Sequence, residues 1–308
     1  MVEVSLGEEG LDRLRNVPLV HRMPAAVFSI AGPGALQCMQ GLLTNDLVKP
    51  ADGSLVYGAL LTPKGLIVLD CWVIKQDATS FLFIADLDAR ATTAELFRKQ
   101  LPPRLAKVTD LTDEWEVYRV RGATPRPPAI VASRQAGPGN PAAAPRSPFD
   151  SLLVGPSDEV AHSLKELALE GVRTATDDEW EAVRILAGWP RRGAEIDEKT
   201  LVQEVRFDEN DGVSYEKGCY TGQETVARLH FRGHTNRDLR GLVWSNSVPL
   251  SDASVRMAEK EVGSVRSVLS LPTGQVALAL IRREVETGQV VTAGGLPATV
   301  VSLPFPAI

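Results

Sequence analysis

Residues 57–74, YGALLTPKGLIVLDCWVI, decide how the chain folds. Tyr57–Leu61 and Ile67–Ile74 are apolar, strand-like runs joined across Pro63-Lys64-Gly65, a connection short enough for a hairpin. Upstream, Val27–Ile30 reads as a short strand, and Gly32-Pro33-Gly34 breaks the chain after it. Leu36, Met39, Leu42 and Leu43 then recur at helical spacing and give one apolar face. Downstream, Phe81–Ala85 is a further strand, and Ala89–Gln100 a helix stopped by Pro102-Pro103. Helices mixed with hairpin-linked strands point to an α+β fold rather than a doubly wound parallel sheet. No strand–GxGxxG–helix unit appears, which argues against a Rossmann dinucleotide site.

Farther along, Gly122–Pro148 is rich in Pro, Gly and Ala. It reads as an interdomain linker or as a long loop inside one domain. The loop is favoured, because Trp115–Val120 before it and Leu152–Val154 after it suit pairing as strands. Glu159–Glu170 follows as a helix. Thr176-Asp177-Asp178-Glu179 fits a capping box that opens another helix, through Trp180, Val183 and Leu186 to a stop at Gly188 and Pro190. Beyond about Asn236 the texture changes. Leu242–Trp244, Val262–Val268, Val276–Ile281, Val290–Thr292 and Thr299–Val301 are short β-rich runs between Gly, Pro or polar turns, the pattern of a separate β-barrel. The expected division is therefore 1–235, with a loop at about 122–148, and 236–308.

The 308 residues exceed one small core and suggest two or three domains. With 44% hydrophobic and 23% charged residues the composition is that of an ordinary globular protein. No apolar run approaches the roughly 18 residues needed to span a bilayer. The opening MVEVSLGEEG lacks a signal-peptide or transit pattern, so the expectation is a cytoplasmic protein with no membrane partner. A net charge of −6 argues against unspecific nucleic-acid binding, although a local basic patch can still recruit an anion. The three cysteines, Cys38, Cys71 and Cys219, are too few and too scattered for a disulfide framework, a CxxC pair or a four-thiolate zinc site. Nor can they supply all the thiolates of an iron–sulfur cluster.

The functional centre is Lys217–Glu224, KGCYTGQE. Val213–Glu216 before it alternates like a short strand, Lys217-Gly218 turns the chain, and Val226 with Leu229 marks a helix from Gln223 onward. Cys219 then sits in a strand-to-helix turn beside a lysine. A helix N-terminus and an ammonium both favour the thiolate, the reactive form of cysteine. A free cysteine more often packs as a small hydrophobe. Here Lys, Gly, Cys, Gly, Gln and Glu crowd into eight residues with little core-forming content, which favours chemistry. Gln223 and Glu224 are suited to orient a ligand amide or amine.

These residues carry a family resemblance. Gly212–Arg240, GVSYEKGCYTGQETVARLHFRGHTNRDLR, resembles the signature region of the YgfZ proteins, folate-binding relatives of the glycine-cleavage T-protein (aminomethyltransferase) linked to iron–sulfur cluster assembly and tRNA modification. LQCMQGLLTND (36–46), LLTPKGLIVLD (60–70) and RILAGWPRRGAEI (184–196) resemble further segments of the family, so the likeness covers nearly the whole chain.

The resemblance implies a three-domain ring: two intertwined α+β, ferredoxin-like domains and a C-terminal antiparallel β-barrel, with tetrahydrofolate in a central hole. It implies that Lys217, Cys219, Gln223 and Glu224 face or frame that hole, and that Asp70 falls at or beside a catalytic acid of the T-proteins; a solvent-facing strand-edge aspartate is the plain alternative. Tyr215 and Tyr220 flank the cysteine as candidate ligand contacts. Arg228, His230, Arg232, His234, Arg237 and Arg240 form a basic stretch, suited to a folate glutamate tail or a phosphate, or else a solvated charged surface. Trp180, Trp189 and Tyr215 suit stacking on a pterin, though aromatics at helical spacing are more often core. Where T-proteins carry R-x-E-A-G, this chain has Arg184-Ile185-Leu186-Ala187-Gly188. A leucine cannot accept pterin N–H bonds, so classical aminomethyl transfer is disfavoured. The resemblance thus implies a folate-binding accessory protein for iron–sulfur enzymes, including tRNA-modifying ones, working through Cys219. Its partners would be iron–sulfur client or assembly proteins, with an indirect link to tRNA. The alternatives are a tetrahydrofolate-dependent one-carbon transferase and a tRNA- or protein-binding module without small-molecule chemistry.

Overall fold

The amino-terminal residues supply strands to two distant sheets. In the computed structural model, which describes residues 1–134, 147–247, 250 and 252–305, β1 (Val2–Ser5), α1 (Glu8–Asn16) and β2 (Leu19–Arg22) precede the first sheet. That sheet has the order β4-β5-β6-β3-β7 and is antiparallel throughout. Its strands are β3 (Ala25–Ala31), β4 (Leu55–Leu61), β5 (Ile67–Lys75), β6 (Ser80–Asp86) and β7 (Lys107–Asp110). The expected hairpin is β4–β5, with Tyr57 opposite Trp72 and Ala59 opposite Asp70. Alternation sorts its side chains between two cores. Phe28, Phe81 and Phe83 turn to one side, where helices α2 (Ala35–Gln40) and α3 (Arg90–Gln100) bring Met39 and Phe97. Tyr57, Trp72 and Ile84 turn to the other.

The chain then returns to β2. The second sheet, in the order β11-β2-β8-β10-β9, adds β8 (Trp115–Arg121), β9 (Ile130–Ser133), β10 (Ser151–Pro156) and β11 (Arg173–Thr174). Val117, Leu152 and Val154 share the core of Tyr57 and Trp72. Val120 and Leu153 pack instead with Val160 and Leu167 of α4 (Ser157–Leu169). The expected pairing of the strands around residues 117 and 154 is present, with Val117 opposite Val154. The stretch between them is not an unstructured loop, because β9 pairs with β10. Residues 135–146 of that stretch lie outside the described residues.

The third sheet closes on itself: β12 (Arg237–Trp244), β15 (Gly274–Arg282), β14 (Lys260–Leu271), β13 (Ser254–Met257), β16 (Val290–Ala293) and β17 (Leu296–Val301) form a six-stranded antiparallel barrel. β1 adds to β14 in parallel, with Val2 opposite Ser267. Helix α5 (Asp177–Leu186) begins with the expected capping box, Thr176 accepting from the Glu179 N–H and Glu179 from that of Thr176. It is anchored on the barrel by Arg184, whose guanidinium meets Glu181, Glu195 and Ser267. The fold is thus α+β with a closed barrel. Two local expectations change. The apolar helix ends at Gln40, leaving Leu42 and Leu43 in the following turn, and Val213–Glu216 is not a strand. Its Ser214 N–H bonds the Thr44 carbonyl at 3.1 Å, so the segment follows the α2 turn instead of a sheet edge.

Candidate functional site

The turn after α2 builds the cradle on which the signature segment lies. Thr44 and Asn45 point their side chains at the chain around Gly212: Thr44 Oγ1 donates to the Gly212 carbonyl at 2.7 Å, and Asn45 Nδ2 to the Asp211 carbonyl at 2.7 Å. Lys217 completes the tie. Its ammonium donates to the carbonyls of Gln40, Leu43 and Asn45 at 2.8, 2.6 and 2.8 Å, using all three of its donors. It also lies 5.0 Å from the centre of the buried Tyr220 ring. Burial pushes the Lys217 pKa down to about 8, against the Asp46 carboxylate, which raises it.

Thr221 N–H bonds the Gly41 carbonyl at 3.1 Å. Gly222, at φ +82°, caps α6 (Gln223–Arg232) where a Cβ would sit 2.6 Å from the Thr62 carbonyl oxygen and 3.0 Å from Gly65 Cα. Only glycine allows this approach of the signature to the β4–β5 hairpin. Cys219, the one exposed cysteine of the three, therefore projects from a loop pinned on both sides. The lysine beside it in sequence is committed to carbonyls, which corrects the expectation of an ammonium poised to activate the thiol.

The described residues enclose cavities of about 750 and 900 Å³, and the second abuts the cradle through Asn45 and Ser214. The first holds Asp70, Asp86 and Arg119 between walls of Trp72, Phe149, Trp180 and Trp189. The second is lined by Tyr215, His230, Phe231, Asp46 and Arg134 among others. Tyr57 stands between them: it lines the second, while its hydroxyl donates to Asp70 Oδ2 at 3.2 Å. Around it the rings of Trp72, Trp189 and Phe207 lie at 4.8, 4.8 and 4.9 Å. Of the expected site residues, Asp70 is thus on the first cavity and Tyr215 on the second. Tyr215 stacks on His230 at 3.6 Å and donates its hydroxyl hydrogen to Asp208.

Lys217, Cys219, Tyr220, Gln223 and Glu224 line neither cavity, while Tyr215 and Glu216 just before them line the second. Gln223 and Glu224 begin α6, and the exposed Arg228 and Arg232 lie along it and line neither cavity. Arg237 is taken up by Glu204, at 2.9 and 3.1 Å, and joins the barrel to the 202–205 turn instead of waiting for a ligand. Leu186 lines neither cavity and packs against the large core.

Asp86 and Arg119 escaped the sequence reading. Alternation was the available signal, since it puts Asp70 on the face of Trp72 and Asp86 on the face of Ile84, which pairs with Trp72. Burial first, then the Asp86 carboxylate, pushes the Asp70 pKa up to about 7, and the Tyr57 hydroxyl opposes this. Burial likewise raises Asp86, with Arg119 pulling it down. A carboxyl with a raised folded pKa keeps an extra proton in the fold. Its stabilising contribution is full below about pH 4 and lost as pH rises through about 7. Asp70→Asn is therefore expected to be more stable than the parent at pH 8, by on the order of 2 kcal/mol, with the gap closing toward pH 4. Unfolding curves at the two pH values check this; a pH-independent gap would show that Asp70 ionises like a surface aspartate.

No helix is long and apolar enough to cross a membrane, and no group of three or more metal-ligating side chains occurs, among the described residues. Residues 13–133 match the GCVT N-terminal domain. The chain is 26% identical over 271 residues to the tRNA-modifying protein YgfZ of Escherichia coli (strain K12 / DH10B), covering 83% of this chain and 82% of that protein. The protein of the same name from Shigella boydii serotype 4 matches to the same extent. In three dimensions it is similar to the glycine cleavage system aminomethyltransferase T from Bartonella henselae, with a TM-score of 0.80, 16% identity, and coverage of 97% of this chain and 89% of that one. The chain is thus similar to the YgfZ proteins over most of its length and has the fold of the glycine-cleavage T-protein.

Proposed function

We propose that this protein is a folate-binding accessory factor in the assembly or repair of iron–sulfur enzymes, among them tRNA-modifying ones, with Cys219 as its working group. The observation that carries the reading is the exposed thiol on a loop held by Lys217, Thr221 and Gly222. A structural cysteine would be buried, as Cys71 is. A pinned, exposed thiol meets an external iron or electrophile with little ordering cost. One thiolate leaves the other cluster ligands to the client or carrier protein. The relatives' name, tRNA-modifying protein YgfZ, supports the link to tRNA through client enzymes.

Cys219→Ser is expected to leave the melting temperature unchanged and to abolish support of iron–sulfur tRNA-modifying enzymes in a strain lacking the native gene. Full complementation by that variant would overturn the role of the thiol.

Tetrahydrofolate fits the first cavity by size and lining. Ligand sites commonly measure roughly 300–1,000 Å³ with mostly apolar walls and a few polar groups, and this one offers Trp72, Trp180 and Trp189 for stacking. The cofactor, when bound, would supply one-carbon chemistry; Asp70 would hold a proton beside it. The same placement of Asp70 favours a second reading, a one-carbon transferase, which methylene-tetrahydrofolate formation from an aminomethyl-lipoyl carrier would establish.

A further inference from the structure

The second cavity carries polar groups that no neighbour satisfies. Its wall includes Arg134 and Ser54, which the bridge between Ser54 and Ser133 brings close together. The Arg134 side chain is 8% exposed. Its guanidinium lies 5.4 and 5.5 Å from the ring centres of Trp72 and Trp189, and Nη2 donates to the Asn210 carbonyl at 2.6 Å. The Asp211 carboxylate is 3.8 Å away, too far for a hydrogen bond. Nη1 of Arg134, Oγ of Ser54 and Nδ2 of Asn210 are buried without a partner among the described residues. Buried donors are nearly always paired, because burial strips their water and an unpaired group gets nothing in return. Three orphaned donors near one another therefore call for an acceptor-rich group from outside the chain. The other charges of the wall are already taken. Glu216 pairs with Lys49 at 2.6 Å, and Asp46 accepts from Gln40 and from the Val48 N–H, each at 2.8 Å. Burial also grades across the cavity: Ser54 and Tyr57 are buried, whereas Lys49, Glu216 and Phe231 are exposed at its rim. Phe231, 67% exposed, meets the His230 ring edge-on at 4.8 Å, and His230 stacks on Tyr215. The mouth is aromatic and the floor cationic.

We infer that the second cavity binds a flat aromatic ring bearing a single carboxylate, with the carboxylate accepting from Arg134 and Ser54 and the ring packing among Tyr215, His230 and Phe231. A guanidinium fork matches the two oxygens of a carboxylate. Asp211 already sets one negative charge beside Arg134, so a doubly charged phosphate is disfavoured there. The volume, about 900 Å³, is that of a small-molecule site, and rings at the mouth suit the apolar part of such a ligand. The site uses neither Cys219 nor the first cavity, so it goes beyond the folate and thiol readings and stands or falls apart from them.

The test is calorimetric titration of the full-length protein with 2-naphthoate, 2-naphthamide and 2-naphthyl phosphate, repeated with excess tetrahydrofolate present. 2-Naphthoate should bind one-to-one. The amide keeps the ring and loses the charge, so it should bind about 10-fold more weakly or worse. The phosphate should also bind more weakly than the carboxylate. Arg134→Met and Phe231→Ser should each weaken 2-naphthoate by about 10-fold, and excess tetrahydrofolate should leave its affinity unchanged. Phe231 is exposed, so its variant keeps the fold even where loss of Arg134 does not, and the comparison of probes uses the unaltered protein. Equal affinity for the amide would overturn the site, as would no binding of 2-naphthoate, which would mean that water alone answers the orphaned donors. Tighter binding of the phosphate would overturn the carboxylate. Displacement of 2-naphthoate by tetrahydrofolate would make the cavity part of a folate site and overturn its independence.

Discussion

Arg184→Met should cost the fold about 3–5 kcal/mol, the range for removing one partner of a buried ion pair. Arg184 is 4% exposed and Glu195 fully buried. The guanidinium donates to Glu195 at 2.8 Å, to Glu181 at 2.6 and 3.0 Å, to Ser267 at 2.7 Å and to the Trp189 carbonyl at 2.6 Å. It joins α5 to β14, so its removal leaves a carboxylate without a cation at the seam between helix and barrel. Chemical unfolding followed by tryptophan fluorescence should show an earlier first transition. Adding Glu195→Leu to Arg184→Met should recover part of the loss, because the stranded charge goes too. If the double variant were less stable than the single one, the penalty would lie in packing and not in the unpaired carboxylate.

Lys217→Met should cost about 3 kcal/mol, since it deprives three inward-facing carbonyls of a charged donor at once. Arginine should not rescue it, because a planar fork cannot reproduce the tripod that an ammonium makes to the carbonyls of Gln40, Leu43 and Asn45. The informative readout is Cys219. Once the loop is released, alkylation of its thiol should become heterogeneous and the loop open to proteases, at temperatures where the rest of the molecule stays folded. Unchanged stability in the variant would mean that Thr221 and Gly222 hold the loop by themselves.

Local signals carried most of the fold. The β4–β5 hairpin, the Thr176 capping box and the pairing of β8 with β10 follow from interactions between near neighbours, or from alternation that one strand reveals alone. Five barrel strands stand out as β-rich runs between turns. β1 alternates as VEVS but is too short to name its partner, β14 at the other end of the chain, and β9 is hidden by the Pro- and Gly-rich residues around it. Val213–Glu216 misled by its alternation: with the Thr44 turn as its neighbour, it has no sheet to join.

At the site, the sequence by itself determined that KGCYTGQE turns tightly, that a cysteine sits in the turn, and that a helix starts at Gln223. Those properties depend on glycine conformations and spacing within a few residues. Tertiary structure decided what the turn is tied to and what it faces. Lys217 became an anchor because the end of α2 delivers three free carbonyls to it. Asp70 gained Asp86 as a neighbour in one cavity, and Arg119 through the packing of a second sheet. Leu186 fell outside the cavity. Charges on separate elements interact according to distance and burial, and neither quantity exists until the sheets have packed.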